Sequence, residues 1–359
     1  MPKLGISDDG AVELRAINKR IEIHRNEPAQ EIGLLLLRAT YRGRAEDYVE
    51  AEKRSADWIA TAPNDLAAWQ TRTGALSAVH EFTAARAALA RVQQLARDKS
   101  DWLDLETSID EADGHRDRSF PRRLEAATKY PTTINRTMYA AALALDGRYD
   151  EAIREIEPAA KALRDNSPEQ LSWLLFQWGR LYEQKGELAH AREFYQQAHD
   201  RFPGYGEVNA HLAQTMQLTN DREAATRVLT DALAWDRHPA LLELAGQTDE
   251  ARTAWEHYVT VLPRAFSDHA ARFYLGSGHD PARALALAQQ NLANRNVPEA
   301  RALVVEAAMA AHDSTAACDA AEGLVTAPIR AHRFTAWQAL SACGRTAAAD
   351  QLAKDLGIK

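Results

Sequence analysis

The chain has 359 residues, 46% of them hydrophobic and 26% charged, a balance ordinary for a folded protein. Its net charge of -8 argues against a nucleic-acid footprint, which needs a basic face. The longest apolar stretch, Ile32 to Leu37, falls far short of the roughly 18 residues that a membrane-spanning helix requires.

In chain order, the first residues, MPKLGISDDGAVELRAINKR, lack the apolar segment of a secretory leader. Cytoplasmic residence is the expectation, with the periplasm as the alternative if a leader was removed. Residues 1–9 are expected to fray. Gly10 to Arg25 reads as a helix with Val12, Leu14, Ile17 and Ile21 on one face, so residues 1–27 form an unpaired cap. A hairpin follows, Glu31 to Arg42 and Ala45 to Ala60. Residues 66–99 give another, with Trp69, Ala85 and Leu89 at key places. Residues 100–131 form a weaker unit, held by Ala126 and Pro131. Residues 133–164 hold better through Tyr139, Ala140, Gly147, Ala152 and Ala159, with Pro158 expected to kink the second helix.

The stretch from Ser172 to Tyr205 is the clearest. Leu175, Trp178, Gly179 and Tyr182 lie at helical spacing, a turn follows at Gly186, and Ala191, Tyr195 and Ala198 mark a second helix closed by Pro203. This pattern resembles the tetratricopeptide repeat, W-x2-L-G-x2-Y, then A-x3-F, then P, over about 34 residues. Trp and Leu are exchanged here between Leu175 and Trp178, which keeps the bulk. Small Gly179 and Ala191 let the two helices cross closely, and Tyr182 and Tyr195 fill the space between them. In the first hairpin Ala39, Ala51 and Pro63 keep the spacing of Gly179, Ala191 and Pro203.

The pattern continues through Ala213, Ala225 and Ala232 to Pro239. The next first helix is cut to roughly Ala240–Ala245, before a second helix with Ala251, Trp255 and Tyr258. Three further pairs, at 265–294, 297–326 and 330–356, put Ala284, Ala316 and Ala349 at the small position; the last two fit the signature least well. The resemblance implies an all-α, right-handed solenoid of about ten antiparallel helix pairs: a repeat array at 28–239 and degenerate repeats at 240–359 continuous with it. An excess of Arg over Lys and abundant Ala suggest a GC-rich bacterial genome. Cys318 and Cys343 build no disulfide framework and lack metal-site spacing. They are read as small buried residues on successive helices across Pro328, with a facing pair as the alternative.

No H-E-x-x-H, Walker A, G-x-G-x-x-G or G-x-S-x-G pattern occurs, and Gly276-Ser277-Gly278 joins two helices. No enzyme, cofactor or metal site is expected. In the family this chain resembles, the first helices line a concave groove that binds a peptide or a partner's extended segment. Carried over by position, the groove residues are Trp173, Phe176, Arg180, Glu183 and Gln184. In the next unit they are Glu207, Ala210, His211, Gln214 and Gln217, and in the preceding one Ile134, Thr137, Ala141 and Leu145. Trp173 and Phe176 lie away from the intra-repeat core and are candidate anchors; packing on the preceding repeat is the alternative.

Asp101, Asp104, Ser108 and Glu111, spaced three, four and three apart, make an acidic stripe on one helix face. It would suit a cationic ligand unless Arg116, Arg118, Arg122 and Arg123 neutralise it. The family's carboxylate clamp is unmet, because Phe176 and Arg180 occupy two of its positions. The expected role is a non-catalytic scaffold for another protein or peptide carrying basic and apolar residues, with no nucleic acid or membrane. The alternatives are a peptide-responsive regulator hinged near Ala240–Ala245 and an accessory subunit of a biosynthetic enzyme complex. Homo-oligomerisation through the Ala-rich carboxyl-terminal repeats is a variant of the scaffold.

Overall fold

The computed structural model describes residues 9–163 and 167–358, with the side chain of Asp9 left aside; the expectation that residues 1–9 fray falls, but for Asp9, outside that range. Among the described residues there are twenty-one α-helices, one short 3-10 turn and no strand. Helix α1 (Asp9–Ile23) precedes ten hairpins. They are α2 (Pro28–Arg42) with α3 (Ala45–Thr61), α4 (Leu66–Ala78) with α5 (Phe82–Leu95), and α6 (Leu103–Ala112) with α7 (Arg116–Lys129). Next come α8 (Thr133–Leu145) with α9 (Tyr149–Ala162), α10 (Pro168–Lys185) with α11 (Leu188–Arg201), and α12 (Gly206–Leu218) with α13 (Arg222–Trp235). The last four are α14 (Pro239–Leu244) with α15 (Thr248–Val261), α16 (Pro263–Leu275) with α17 (Pro281–Asn294), α18 (Pro298–Ala310) with α19 (Ser314–Glu322), and α20 (Arg330–Ala342) with α21 (Thr346–Leu356). This is the all-α solenoid.

Local chemistry explains the regularity. Each of the ten hairpin turns holds one residue at positive φ: Gly43, His80, Gly114, Gly147, Gly186, Asn220, Gly246, His279, His312 and Gly344. A left-handed residue reverses the chain while keeping the last helical carbonyls bonded. Second helices bury one repeated face. It is Ala152, Ile156 and Ala159 in α9, Ala191, Tyr195 and Ala198 in α11, Ala225, Leu229 and Ala232 in α13, and Ala251, Trp255 and Tyr258 in α15. The spacing i, i+4, i+7 makes a single stripe, and each large side chain buried in it contributes about 1.5–3 kcal/mol. A Cβ on Gly179 would lie 2.5 Å from the Tyr195 ring, which is why that crossing needs glycine.

Three sequence expectations shift. In α7 the buried alanine is Ala127, with Ala126 half-buried, and in α19 it is Ala317, with Ala316 half-buried. Asp101 lies in the 3-10 turn Lys99–Asp101 ahead of α6, so the acidic stripe does not run along one helix. Cys318 and Cys343 are paired as a disulfide, with Cα atoms 6.6 Å apart, rather than being two separate buried thiols. Helix α9 runs through Pro158, and α7 likewise contains Pro121.

First helices of successive hairpins touch one another, α2 with α4, α12 with α14 and α18 with α20, more closely than second helices do. They therefore lie on the inside of the curve. The curve is tight enough to meet itself. Tyr258 Oη donates to the Gly43 carbonyl at 2.8 Å, and Arg42 pairs with Asp236 at 3.1 Å. Arg264 pairs with Glu81 at 2.5 Å, and Asn294 Nδ2 donates to the His80 carbonyl at 3.0 Å. Farther along, Gly114 packs beside Asn296 and Val297, and Gly147 faces Pro328 and Ile329. Hairpin turns of the first four units thus stack on inter-unit loops of the later ones, forming a seam between two superhelical turns. At its start, Leu14 of α1 packs on Gly204 and joins the buried cluster of Tyr41, Phe176 and Tyr205.

Candidate functional site: the inner face of α10 and α12

Because α10 and α12 are first helices, their outward-turned residues face the inside of the superhelix. Phe176 does not remain exposed there. It is 1% exposed, with its ring centroid 5.8 Å from Tyr195, 5.4 Å from Tyr205 and 5.3 Å from His211. Its own and the next hairpin supply these rings, and α1 and Tyr41 of α2 complete the closed cluster, with Tyr41 4.7 Å from Tyr205. Trp173 is half-buried against the core of the preceding hairpin, with Ile153, Ala160 and Trp178. An exposed Trp173/Phe176 anchor is therefore replaced by two packed aromatics.

What stays at the surface is polar. Arg180 is exposed and lays its guanidinium over the Phe176 ring, 5.9 Å from the centroid. Glu183 is held from two sides: Tyr195 Oη donates to it at 2.5 Å, and His211 Nδ1 lies 2.8 Å from the same carboxylate oxygen. Burial pushes the Glu183 carboxyl up, but the His211 and Tyr195 hydrogen bonds and the Arg180 charge outweigh it, and the group sits below its ordinary value. Burial, then the Glu183 charge and bond, raise the Tyr195 phenol. Gln184, Glu207, Gln214 and Leu218 are exposed around this pair, with Ala210 and Gln217 half-buried. In the preceding unit Ile134 is 61% exposed while Thr137 is buried.

The acidic stripe does not join them. Arg123, itself buried, donates to Asp104 at 2.7 Å, to Ser108 Oγ at 2.9 Å and to Glu111 at 3.1 Å. Asp101 accepts from the backbone N–H groups of Arg97 and Asp98 and closes a capping box. Arg122 and Arg118 bond Asp110 instead, and Arg116 bonds Asp146. Burial raises the Glu111 carboxyl even with Arg123 beside it. Arg123 thus takes up the charges of exposed Asp104 and buried Glu111, while Asp101 is spent on capping the 3-10 turn, so the three do not present one stripe to a cationic ligand. The signal for this lay in Arg123, which stands where α11 carries Tyr195 and so points inward.

Sequence reasoning missed Phe334 on α20, 42% exposed, with its ring 5.4 Å from the half-buried Trp337. Register could have found it: Phe334 lies ten residues before Gly344, as Phe176 lies ten before Gly186. Among the described residues no group of three or more His, Cys, Asp or Glu could hold a metal ion, and no helix is long and apolar enough to cross a membrane.

Residues 183–248 match the family model described as tetratricopeptide repeat. No curated protein matches the chain. Among solved structures, the chain is similar to one in the APC/C hetero-tetramer Cut9–Hcn1, at 15% identity and a TM-score of 0.49, over 84% of this chain and 60% of that one. A tetratricopeptide repeat protein from Parabacteroides merdae gives 15% identity and a TM-score of 0.41, over 66% of this chain and 96% of that one. PilW, a type IV pilus biogenesis factor, gives 18% and 0.34, over 54% and 91%. The chain thus spans less than two thirds of the Cut9–Hcn1 relative's length.

Proposed function

We propose that this all-α solenoid, which matches the tetratricopeptide-repeat model at residues 183–248, is a non-catalytic scaffold whose inner face holds an extended segment of another protein. The repeat architecture supports a role in protein–protein interaction. One observation favours the inner face of α10 and α12 as the contact. Glu183 is fixed in its ionised form by Tyr195 and His211, with exposed Arg180, Gln184 and Gln214 beside it. Side chains already held in place lose little entropy when a partner docks, which is the main benefit of preorganisation. An extended segment offers backbone amides and carbonyls along its length, and this row of amides, a carboxylate and a guanidinium matches both. The expected partner is polar along its contact rather than basic, because the acidic stripe is satisfied internally.

The test is affinity capture with the wild-type chain and with Arg180→Glu combined with Gln214→Glu. Both positions are exposed, so circular dichroism should be unchanged. A protein enriched by the wild type and lost by the double variant supports the reading. Equal enrichment by both removes this face from the function.

A further inference from the structure

Four of the chain's 12 histidines gather along the seam from four different places in the sequence. His238, in the α13–α14 loop, fits against Gly43 so closely that a Cβ there would collide with its ring. Its centroid lies 6.0 Å from both Trp255 and Tyr258, and its Nδ1 accepts the Ala240 N–H at 3.3 Å. His80, at the α4–α5 turn, sits 3.2 Å through Nδ1 from the Arg264 carbonyl, while its own carbonyl accepts from Asn294. His269 stacks on Trp255, and His257 pairs with Glu46 at 3.1 Å. We propose that this seam is an acid-released latch: protonation of His238 and His80 parts the two superhelical turns.

The surroundings decide the sign. His238 packs on Gly43 of the first hairpin, whose chain neighbours Arg42, Arg44 and Glu46 are charged, on Trp255 and Tyr258 of α15, the latter next to His257, and near His269 of α16, with Asp236 and Arg237 just before it in the chain. The nearby carboxylates are engaged elsewhere: Asp236 with Arg42 and Glu46 with His257. Around His80 stand Glu81, Arg264, Asp268, His269 and Arg295. Glu81 is taken by Arg264 and Asp268 by Arg295. Each of these carboxylates already has a partner, so none stands uncommitted to pair with either new positive charge. Burial pushes His238 down to about 3, with the His269 charge adding to it. Burial lowers His80, then the Arg295 charge lowers it further, against Asp268.

An opened seam returns both rings to water, where they take protons near the ordinary 6.5. The open form therefore binds more protons in acid. The closed form is favoured in full above that value and weakens as pH falls, by roughly tenfold per pH unit for each of the two histidines until its own closed-state value is reached. The His257–Glu46 pair is solvent-exposed and contributes little to the seam. Opening needs no helix to unfold, because each hairpin keeps its own neighbours.

Hydrogen exchange on the full chain at about pH 7.5 and about pH 5, corrected for intrinsic rates, tests this directly. Residues 40–46, 78–82, 236–240 and 262–266 should lose at least tenfold in protection at the lower pH, reversibly and with helical content unchanged. Unchanged protection there, or a loss spread evenly over all hairpins, overturns the proposal. The His238→Phe, His80→Asn double variant keeps a ring against Gly43 and a residue tolerant of positive φ, and it should stay closed in acid. If it opens as the wild type does, these histidines are not the trigger and the proposal fails. If the variant does not fold, imidazole NMR of the wild type decides. The midpoints of His238 and His80 must coincide with that of the exchange change, and any other midpoint overturns the latch.

Discussion

The middle hairpins and the last two solve the same packing problem in opposite ways. Ala140/Ile156, Gly179/Tyr195 and Ala213/Leu229 each place a small residue on the first helix and a large one sixteen residues later on the second. At the carboxyl end the order reverses, to Val305/Ala321 and Trp337/Ala353. Trp337 packs against the cluster that holds Ala349 and Leu352. A close helix crossing needs one large side chain and one gap, and either helix can supply either. The signature assumes one order, so hairpins built in the other order look degenerate while being packed as well. The sixth helix pair of the comparison, Thr107/Arg123, shows a third solution, in which the large residue is a cation and the gap is lined by carboxylates.

The comparison can be broken first at Tyr195. Tyr195→Ala should cost about 3–5 kcal/mol in urea unfolding, because the fully buried ring also anchors Glu183. Adding Gly179→Trp, which copies the last hairpin, should recover a substantial part of that loss. No recovery would mean that the two arrangements are not interchangeable.

Arg123→Leu should cost about 3 kcal/mol near neutral pH by leaving buried Glu111 without its cation. Glu111 already lies above its ordinary value, so its folded form takes a proton before the unfolded form does. The deficit should therefore shrink as pH falls through the folded value. A deficit that grows in acid would contradict this assignment. Gly179→Ala is smaller, about 1–3 kcal/mol from overpacking against Tyr195, and Tyr195→Leu should relieve it by recreating the Ala213/Leu229 pair. Thermal melts of the single and double variants measure the rescue. The smallest effect is a gain: His312→Gly, at φ 58, should add up to about 1 kcal/mol by removing left-handed strain. A loss of stability there would show that the imidazole makes a contact worth more than the strain.

The hairpins were legible because their causes are local. Turn residues such as Gly147 and Gly186, and small residues such as Ala191 and Ala225, act within one or two helices and repeat at a fixed spacing. Sequence alone therefore determined the all-α architecture, the hairpin boundaries to within a few residues and the clear match at the centre. It did not reveal the fate of Phe176, because the cluster that buries the ring joins Tyr195, Tyr205 and His211 of its own and the next hairpin with α1 and Tyr41, more than a hundred residues away. Nor did it show that Arg123 closes the acidic stripe or that Cys318 meets Cys343, since several pairings were open in one dimension. The pitch of the superhelix sums a small rotation at each junction, and no short motif encodes that sum. Only the tertiary structure decided that the curve closes on itself, and with it which side chains of the inner face remain available.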